Sequence, residues 1–212
     1  MNPKEIYYET TANSIIENLK KRQIDGYYCK NSEEALKLAC SFVTSGSTVS
    51  FGGSMTLEET GVLPHLRSRE DITLFDRAKA SNLEETHAIY AQAFTADTFF
   101  MSTNAITLEG ELVNIDGNGN RVAALIWGPK QVIILAGINK VCSNLEDAYH
   151  RVKNIASPPN CVRLNRNTPC ASTGHCGDCY SPDCICSQTV ITRRSGIPGR
   201  IKVILIGEAL GY

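Results

Sequence analysis

Short β-branched and apolar runs separated by helix-length amphipathic stretches constrain this chain more than any other feature. "TVSF", "DITLFD", "DTFFMST", "ELVNID", "QVIILAG", "QTVITRR" and "RIKVILIG" read as strands. Between them lie helical patterns over residues 3–21, from Asn31 to about Val43, and in "TLEETG", "NLEETHAIYAQAFTA" and "NLEDAYHRVKNIA". Strands alternating with helices predict an α/β fold, a mostly parallel open sheet with helices on both faces. By the same pattern the first helix buries Tyr8, Ile15, Ile16 and Leu19. Asn31 with Glu34 forms a capping box, Gly61 stops the "TLEETG" helix, and Pro158 and Pro159 stop the last one.

Of the 212 residues, 42% are hydrophobic and 20% charged, enough for one substantial core, so residues 1–212 read as one domain. A formal net charge of −1 gives no basic field for nucleic acid or an anionic membrane. No apolar run has the length of a membrane span. The opening "MNPKEIYYETTANSIIENLKKR" lacks a signal-peptide core, so the expected location is cytoplasmic.

Two strand ends carry candidate ligand groups. In "TVSFGGSMTLEETG" a strand runs into Gly52, Gly53 and Ser54 and then a helix, where bare backbone can approach an anion. A tight turn whose glycines serve geometry alone fits the same letters. The full G-x-G-x-x-G and the P-loop lysine are absent. Glu58 and Glu59 follow, either as first-turn carboxylates favoured by the helix dipole or as an acid or base. In "NAITLEGELVNIDGNGNR", Asp116, Asn118 and Asn120 mimic a calcium loop. Arg121 stands where an EF-hand needs glycine and Trp127 where it needs glutamate, so calcium is excluded. What remains is a tight turn, or a loop of amides that brings Arg121 to an anion. Lys140 lies just past a buried strand, where open α/β sheets place ligand groups.

Residues 160–187 break the alternation. They hold few aliphatic side chains and six cysteines, spaced Cys161-x8-Cys170-x5-Cys176-x2-Cys179-x4-Cys184-x-Cys186. Because "RIKVILIG" lies beyond it, the segment is an insertion before the last strands. In a reducing compartment such clusters serve as metal or redox groups in preference to structural disulfides. Cys170, Cys176, Cys179, Cys184 and Cys186 are the candidate ligands. Zinc would accept Cys176, Cys179, Cys184 and Cys186; a [4Fe–4S] cluster would take Cys170, Cys176 and Cys179 with one of the last two. The spacing matches neither a ferredoxin run nor a standard zinc finger. Six cysteines exceed the need of one zinc, which favours iron–sulfur.

Three stretches, in order, resemble the lactate-utilisation (LUD) domain family. "GSMTLEETG" is similar to its S-M-x-x-E-E-x-G, "NAITLEGELVNIDGNGNR" to its N-x-A-I-x-E-x-G-x-x-V…E-G-N-G-R, and "GINKVCSNLEDA" to its G-x-x-K-I-x-x-x-L-E-D-A. The resemblance implies a fold like ribose-5-phosphate isomerase, glucosamine-6-phosphate deaminase and the coenzyme A transferases. It also implies association with oxidation of lactate to pyruvate, often beside iron–sulfur proteins. By position it carries over Ser54, Glu59, Asn104, Glu109, Gly117, Asn118, Gly119, Arg121 and Lys140 as pocket residues. The chain departs from the pattern in Asp116 and in the additional Asn120. The expected function is a redox accessory of organic-acid metabolism. It would bind a small anionic metabolite through Gly52, Gly53, Ser54, Asn104, Asn118, Gly119, Asn120, Arg121 and Lys140, hold a metal centre, and meet redox partner proteins or a second copy of itself. The alternatives are an isomerase- or acyl/coenzyme A transferase-like enzyme, with Glu59 or Glu109 as base or nucleophile and a structural zinc, and a non-catalytic ligand sensor.

Overall fold

The computed structural model describes residues 2–212, so Met1, where the N-terminal stretch read above begins, lies outside them. Ten strands run in chain order: β1 (Asp25–Cys29), β2 (Thr48–Phe51), β3 (Thr73–Phe75), β4 (Thr98–Met101), β5 (Ala105–Thr107), β6 (Leu112–Asp116), β7 (Gln131–Gly137), β8 (Val141–Cys142), β9 (Gln188–Thr192) and β10 (Ile201–Ile206). The helices are α1 (Pro3–Lys21), α2 (Ser32–Ser41), α3 (Met55–Glu59), α4 (Val62–Ser68), α5 (Leu83–Ala93), α6 (Asn120–Ile126), α7 (Leu145–Arg151), α8 (Ser157–Arg163) and α9 (Pro169–Thr173).

Six strands form a parallel sheet in the order β1-β10-β7-β4-β2-β3. Its central strands are mostly apolar because both faces are covered. Along β7, Val132, Ile134 and Ala136 face Ala12, Ile15 and Leu19 of α1 with Ala124 and Leu125 of α6. Ile133 and Leu135 face the other way, against Ala35 and Ala39 of α2, Leu57 of α3 and Leu63 and Leu66 of α4. Truncating one of these side chains, Ile134→Ala for instance, costs about 2–5 kcal/mol. In α1, Ile15 and Leu19 are buried as the periodicity predicts, while Tyr8 and Ile16 are only half-buried and Ala12 takes the central place.

A smaller mixed sheet, β8-β5-β6-β9, packs beside the first. Its short members β5 and β8 have too few residues for a period to show. The core beneath it joins Ala105, Val113 and Ile115 to Ala148 and Val152.

Three local expectations change. Pro158 and Pro159 do not stop the helix after α7. The chain passes through a π-helical turn, Val152–Ala156, and the prolines occupy the first turn of α8, where a missing N–H is tolerated. Asn31 caps α2 by accepting from the Glu34 amide at 2.9 Å, but the Glu34 carboxylate reaches back to the Lys30 amide instead of closing the box on Asn31. The "DGNGN" turn leads straight into α6, with Gly119 in the left-handed region at φ 79°. Among the described residues no helix is long and apolar enough to cross a membrane.

Candidate functional site

The carboxyl ends of the parallel strands open into a cleft of about 720 Å³. Gly53–Thr56 enter it after β2, Asp76–Ala78 after β3, Ser102–Asn104 after β4, Lys140 after β7 and Tyr212 after β10. Chain ends converge there because every parallel strand points the same way and its loop must turn at that edge. The second sheet supplies the facing wall through Ile115–Asn118, Asn120 and Arg121, and α8 closes one side with Asn160 and Arg163. Of the predicted ligand residues, Gly53, Ser54, Asn104, Asn118, Asn120, Arg121 and Lys140 line this one space. Gly52 and Gly119 are not on its wall; they position neighbours that are.

The two glycines after β2 are small because arginines lie across them. A methyl on Gly52 would stand 2.8 Å from Cγ and Cδ of Arg121, and one on Gly53 would strike the guanidinium of Arg77. The stretch is therefore a packing surface for two basic side chains as well as a turn. Ser54 caps α3, its hydroxyl accepting from the Leu57 amide at 3.4 Å.

Arg121 is the hub of the wall. Nη1 donates to the carbonyl of Ser102 at 3.1 Å and to Oδ1 of Asn114 at 2.8 Å; Nη2 donates to Oδ1 of Asn104 at 3.0 Å and to the carbonyl of Ile115 at 2.6 Å. Asp116 lies 3.6 Å from Nε and also accepts from the amides of Gly119 and Val122. The guanidinium thus fastens the β4 loop to β6, and its charge reaches a ligand only as a field. Asn114, fully buried, leaves its Nδ2 without a partner among the described residues. Arg151 does similar work nearby, donating to the carbonyls of Asn139 and Asn104.

Lys140 differs from both arginines. It is 4% exposed, it lines the cleft, and its ε-amine has no hydrogen-bond or ion-pair partner among the described residues. Burial first, and then the charges of Arg151 and Arg121, push this amine down to about 7, with Glu59 opposing. Glu59 itself is exposed and off the cleft wall, where it accepts from the Gly211 amide at 2.7 Å. A methyl on Gly211 would lie 2.6 Å from Oγ1 of Thr56 and 3.4 Å from Nζ of Lys140, so Glu59 anchors the segment that packs on the amine. Glu109 is exposed in the β5–β6 turn, outside the cleft lining, and its backbone carbonyl accepts from Nε of Arg22.

The cysteine segment borders the same cleft. Pro182, Asp183, Cys184 and Ile185 line it, and Gly117 is bare where the Ile185 backbone crosses at 3.2 Å from an added methyl. The π-helical turn holds the segment: Asn154 accepts from the Cys176 amide and Lys153 pairs with Asp178. The sulfurs form two close pairs, Cys184–Cys186 at 2.9 Å and Cys161–Cys170 at 3.6 Å. Burial raises the Cys186 thiol to about 12, aided by Cys184 and by the charges of Cys176 and Cys179. Among the described residues no group of three or more His, Cys, Asp or Glu side chains is assembled as a metal site.

The cleft's electrostatics favour anions. Arg67 pairs with Glu58 and Asp76, Arg121 with Asp116, and Arg166 with Asp183. That occupies all four lining carboxylates, while Arg77, Arg163 and Lys140 have no acidic partner among the described residues. Arg77 donates only to the Tyr90 hydroxyl and Arg163 only to Asn160. Sequence reading missed Arg77, Arg163 and Tyr212. Arg77 follows a strand end, a cue equal to that of Lys140, whereas Arg163 belongs to a helix that the two prolines disguised.

A family model for the LUD domain matches residues 12–206. Comparison with curated proteins gives no match. Among solved structures, a DUF162 family protein from Deinococcus radiodurans aligns over 94% of this chain and 98% of its own, with 14% identity and a TM-score of 0.54, a likeness of fold. Ribose 5-phosphate isomerase from Plasmodium falciparum aligns over 53% of each chain, with 18% identity and a TM-score of 0.34. The β subunit of eIF2B from Chaetomium thermophilum aligns over 53% of this chain and 43% of its own, with 18% identity and a TM-score of 0.35.

Proposed function

This chain belongs to the LUD domain family, and on that premise we propose that it binds a small anionic metabolite, a carboxylate or phosphate ester, in the cleft and serves the redox metabolism of lactate or related organic acids as an accessory protein. The observation that carries this reading is the surplus of basic groups in the cleft. Arg77, Arg163 and Lys140 face it without carboxylate partners among the described residues. A bound anion supplies the missing partner, and charge-assisted hydrogen bonds to guanidinium are the strong kind.

The test is a thermal-shift panel with lactate, pyruvate, a sugar phosphate and acyl-coenzyme A, since a ligand of the native state raises its apparent stability. One of these anions is expected to raise Tm in the intact protein, with the shift lost in Arg77→Ala/Arg163→Ala. No shift from any of them at millimolar concentration would reject the reading.

The metal centre is the second part of the proposal. Its support is the mutual proximity of Cys184 and Cys186, with Cys176 and Cys179 within electrostatic reach of Cys186. Thiols that oppose one another's ionisation are stabilised by a shared cation. An isomerase- or transferase-like enzyme with a structural zinc is the other reading, and the near-neutral amine of Lys140 favours it. Glu109 has no place in that chemistry, because it stands outside the cleft lining.

A further inference from the structure

We propose that Lys140 is a nucleophilic amine, and that the cleft takes an anionic carbonyl compound whose carbonyl carbon forms a reversible Schiff base with it. The inference rests on the anion-binding reading of the cleft and specifies what the anion must carry.

The geometry sets Lys140 apart from every other basic group of the cleft. Arg67, Arg77, Arg121, Arg163 and Arg166 each have an acceptor on the protein. The ε-amine of Lys140 has none among the described residues, although the residue is only 4% exposed. It stands on the turn immediately after the central strand β7, and Gly211 packs against its amine. A buried cation with no paired carboxylate is expensive, and burial outweighs the opposing charge of Glu59, so the neutral form, which has a lone pair to donate, is favoured. Arg121 and Arg151 strengthen that preference while their own donors hold backbone and side-chain oxygens. Desolvation beside other cations is a recognised way to activate an amine toward carbonyls.

The chemistry closes without a co-reactant. The lone pair of Nζ attacks the carbonyl carbon, a C–N bond forms, and the carbonyl oxygen takes a proton to give a carbinolamine. The second N–H proton leaves with that oxygen as water, and the imine remains. No electrons are gained or lost. Arg77 and Arg163, bonded only to neutral acceptors among the described residues, would hold the carboxylate or phosphate of the same molecule. A 2-oxo acid and an open-chain sugar phosphate share this chemistry.

The experiment incubates the intact protein with pyruvate in one arm and ribose 5-phosphate in the other, each with cyanoborohydride, and maps the reduced adduct by peptide mass. Binding of both compounds is measured in parallel by calorimetry without reductant. The expected result is an adduct at Lys140 in at least one arm. It should form faster as pH rises through about 7, and be absent in Lys140→Met. Because that variant alters packing too, the wild-type protein is also challenged with lactate, which has the carboxylate and a hydroxyl in place of the ketone. Protection of Lys140 by lactate supports the assignment. Binding without an adduct at Lys140, or adducts confined to surface lysines such as Lys130, overturns the nucleophile and leaves the anion site standing. Neither binding nor adduct in either arm overturns both.

Discussion

Arg121 and Asn104 hold each other across the floor of the cleft. Nη2 of the arginine donates to Oδ1 of the asparagine at 3.0 Å, and the same oxygen accepts from the Ile115 amide at 3.0 Å. The pair ties the loop after β4 to the end of β6, so the parallel sheet and the smaller sheet share one rigid wall. A ligand entering the cleft meets a surface already fixed by internal hydrogen bonds, with Lys140, Arg77 and Arg163 left to respond to it.

Replacing Arg121 removes that tie. Arg121→Met should lower stability by about 3–5 kcal/mol, because Asp116 loses its counter-charge in a buried site and the side-chain oxygens of Asn104 and Asn114 and the carbonyls of Ser102 and Ile115 each lose a charged donor. Arg121→Lys should recover little, since a single ammonium cannot span four acceptors on two segments. Urea unfolding followed by circular dichroism measures both. A loss below about 1 kcal/mol, the scale of a surface pair, would mean the network is not what joins the sheets.

Gly52→Ala should also destabilise, by about 1–3 kcal/mol, the cost of overpacking. The added methyl would stand 2.8 Å from Cγ and Cδ of Arg121, a side chain that its hydrogen bonds prevent from retreating. Gly177→Ala is the control, because nothing lies within 4 Å of its added methyl. Equal midpoints for the two variants in urea would show that the close approach to Arg121 carries no constraint.

Lys140 predicts a pH dependence of stability. Its amine is pushed down to about 7 in the folded chain and returns to the ordinary lysine value of about 10.4 on unfolding. Between those values the unfolded chain binds the proton that the native chain has released, so stability rises with pH across the window. Below pH 7 the penalty is fully present and amounts to ~5 kcal/mol. Glu59, Arg121 and Arg151 are the charged groups acting on this amine. Lys140→Met should therefore gain most on the wild type below pH 7, with the difference shrinking toward pH 10. Parallel stability curves for the two proteins from pH 6 to pH 10 would place the proton elsewhere.

The cysteine segment makes a prediction about composition. If it holds metal, protein purified without air should contain iron with sulfide, or zinc, and Cys176→Ser and Cys186→Ser should each lose it. Cys40→Ser should not, since Cys40 sits in α2, away from the segment. Elemental analysis and the visible spectrum read the outcome. A wild-type protein without metal, or three variants with equal content, would leave the sulfurs as free thiols.

The α/β architecture was legible because each central strand buries both faces and so appears as an unbroken apolar run, as in β7 and β10. So was the cleft's location, since Gly53, Ser54 and Lys140 all follow strand ends. The roles of individual residues were not. Arg121 looked like a ligand group and is a structural hub, while Glu59, which looked like a base, anchors Gly211. Letters in a row report which side chains are available, and local spacing reports helix and strand. Whether a charge is spent on the protein or left facing a ligand depends on which acceptors distant segments bring to it. In this chain only folding places Asn104, Asn114 and Asp116 around Arg121 and leaves Lys140 with none.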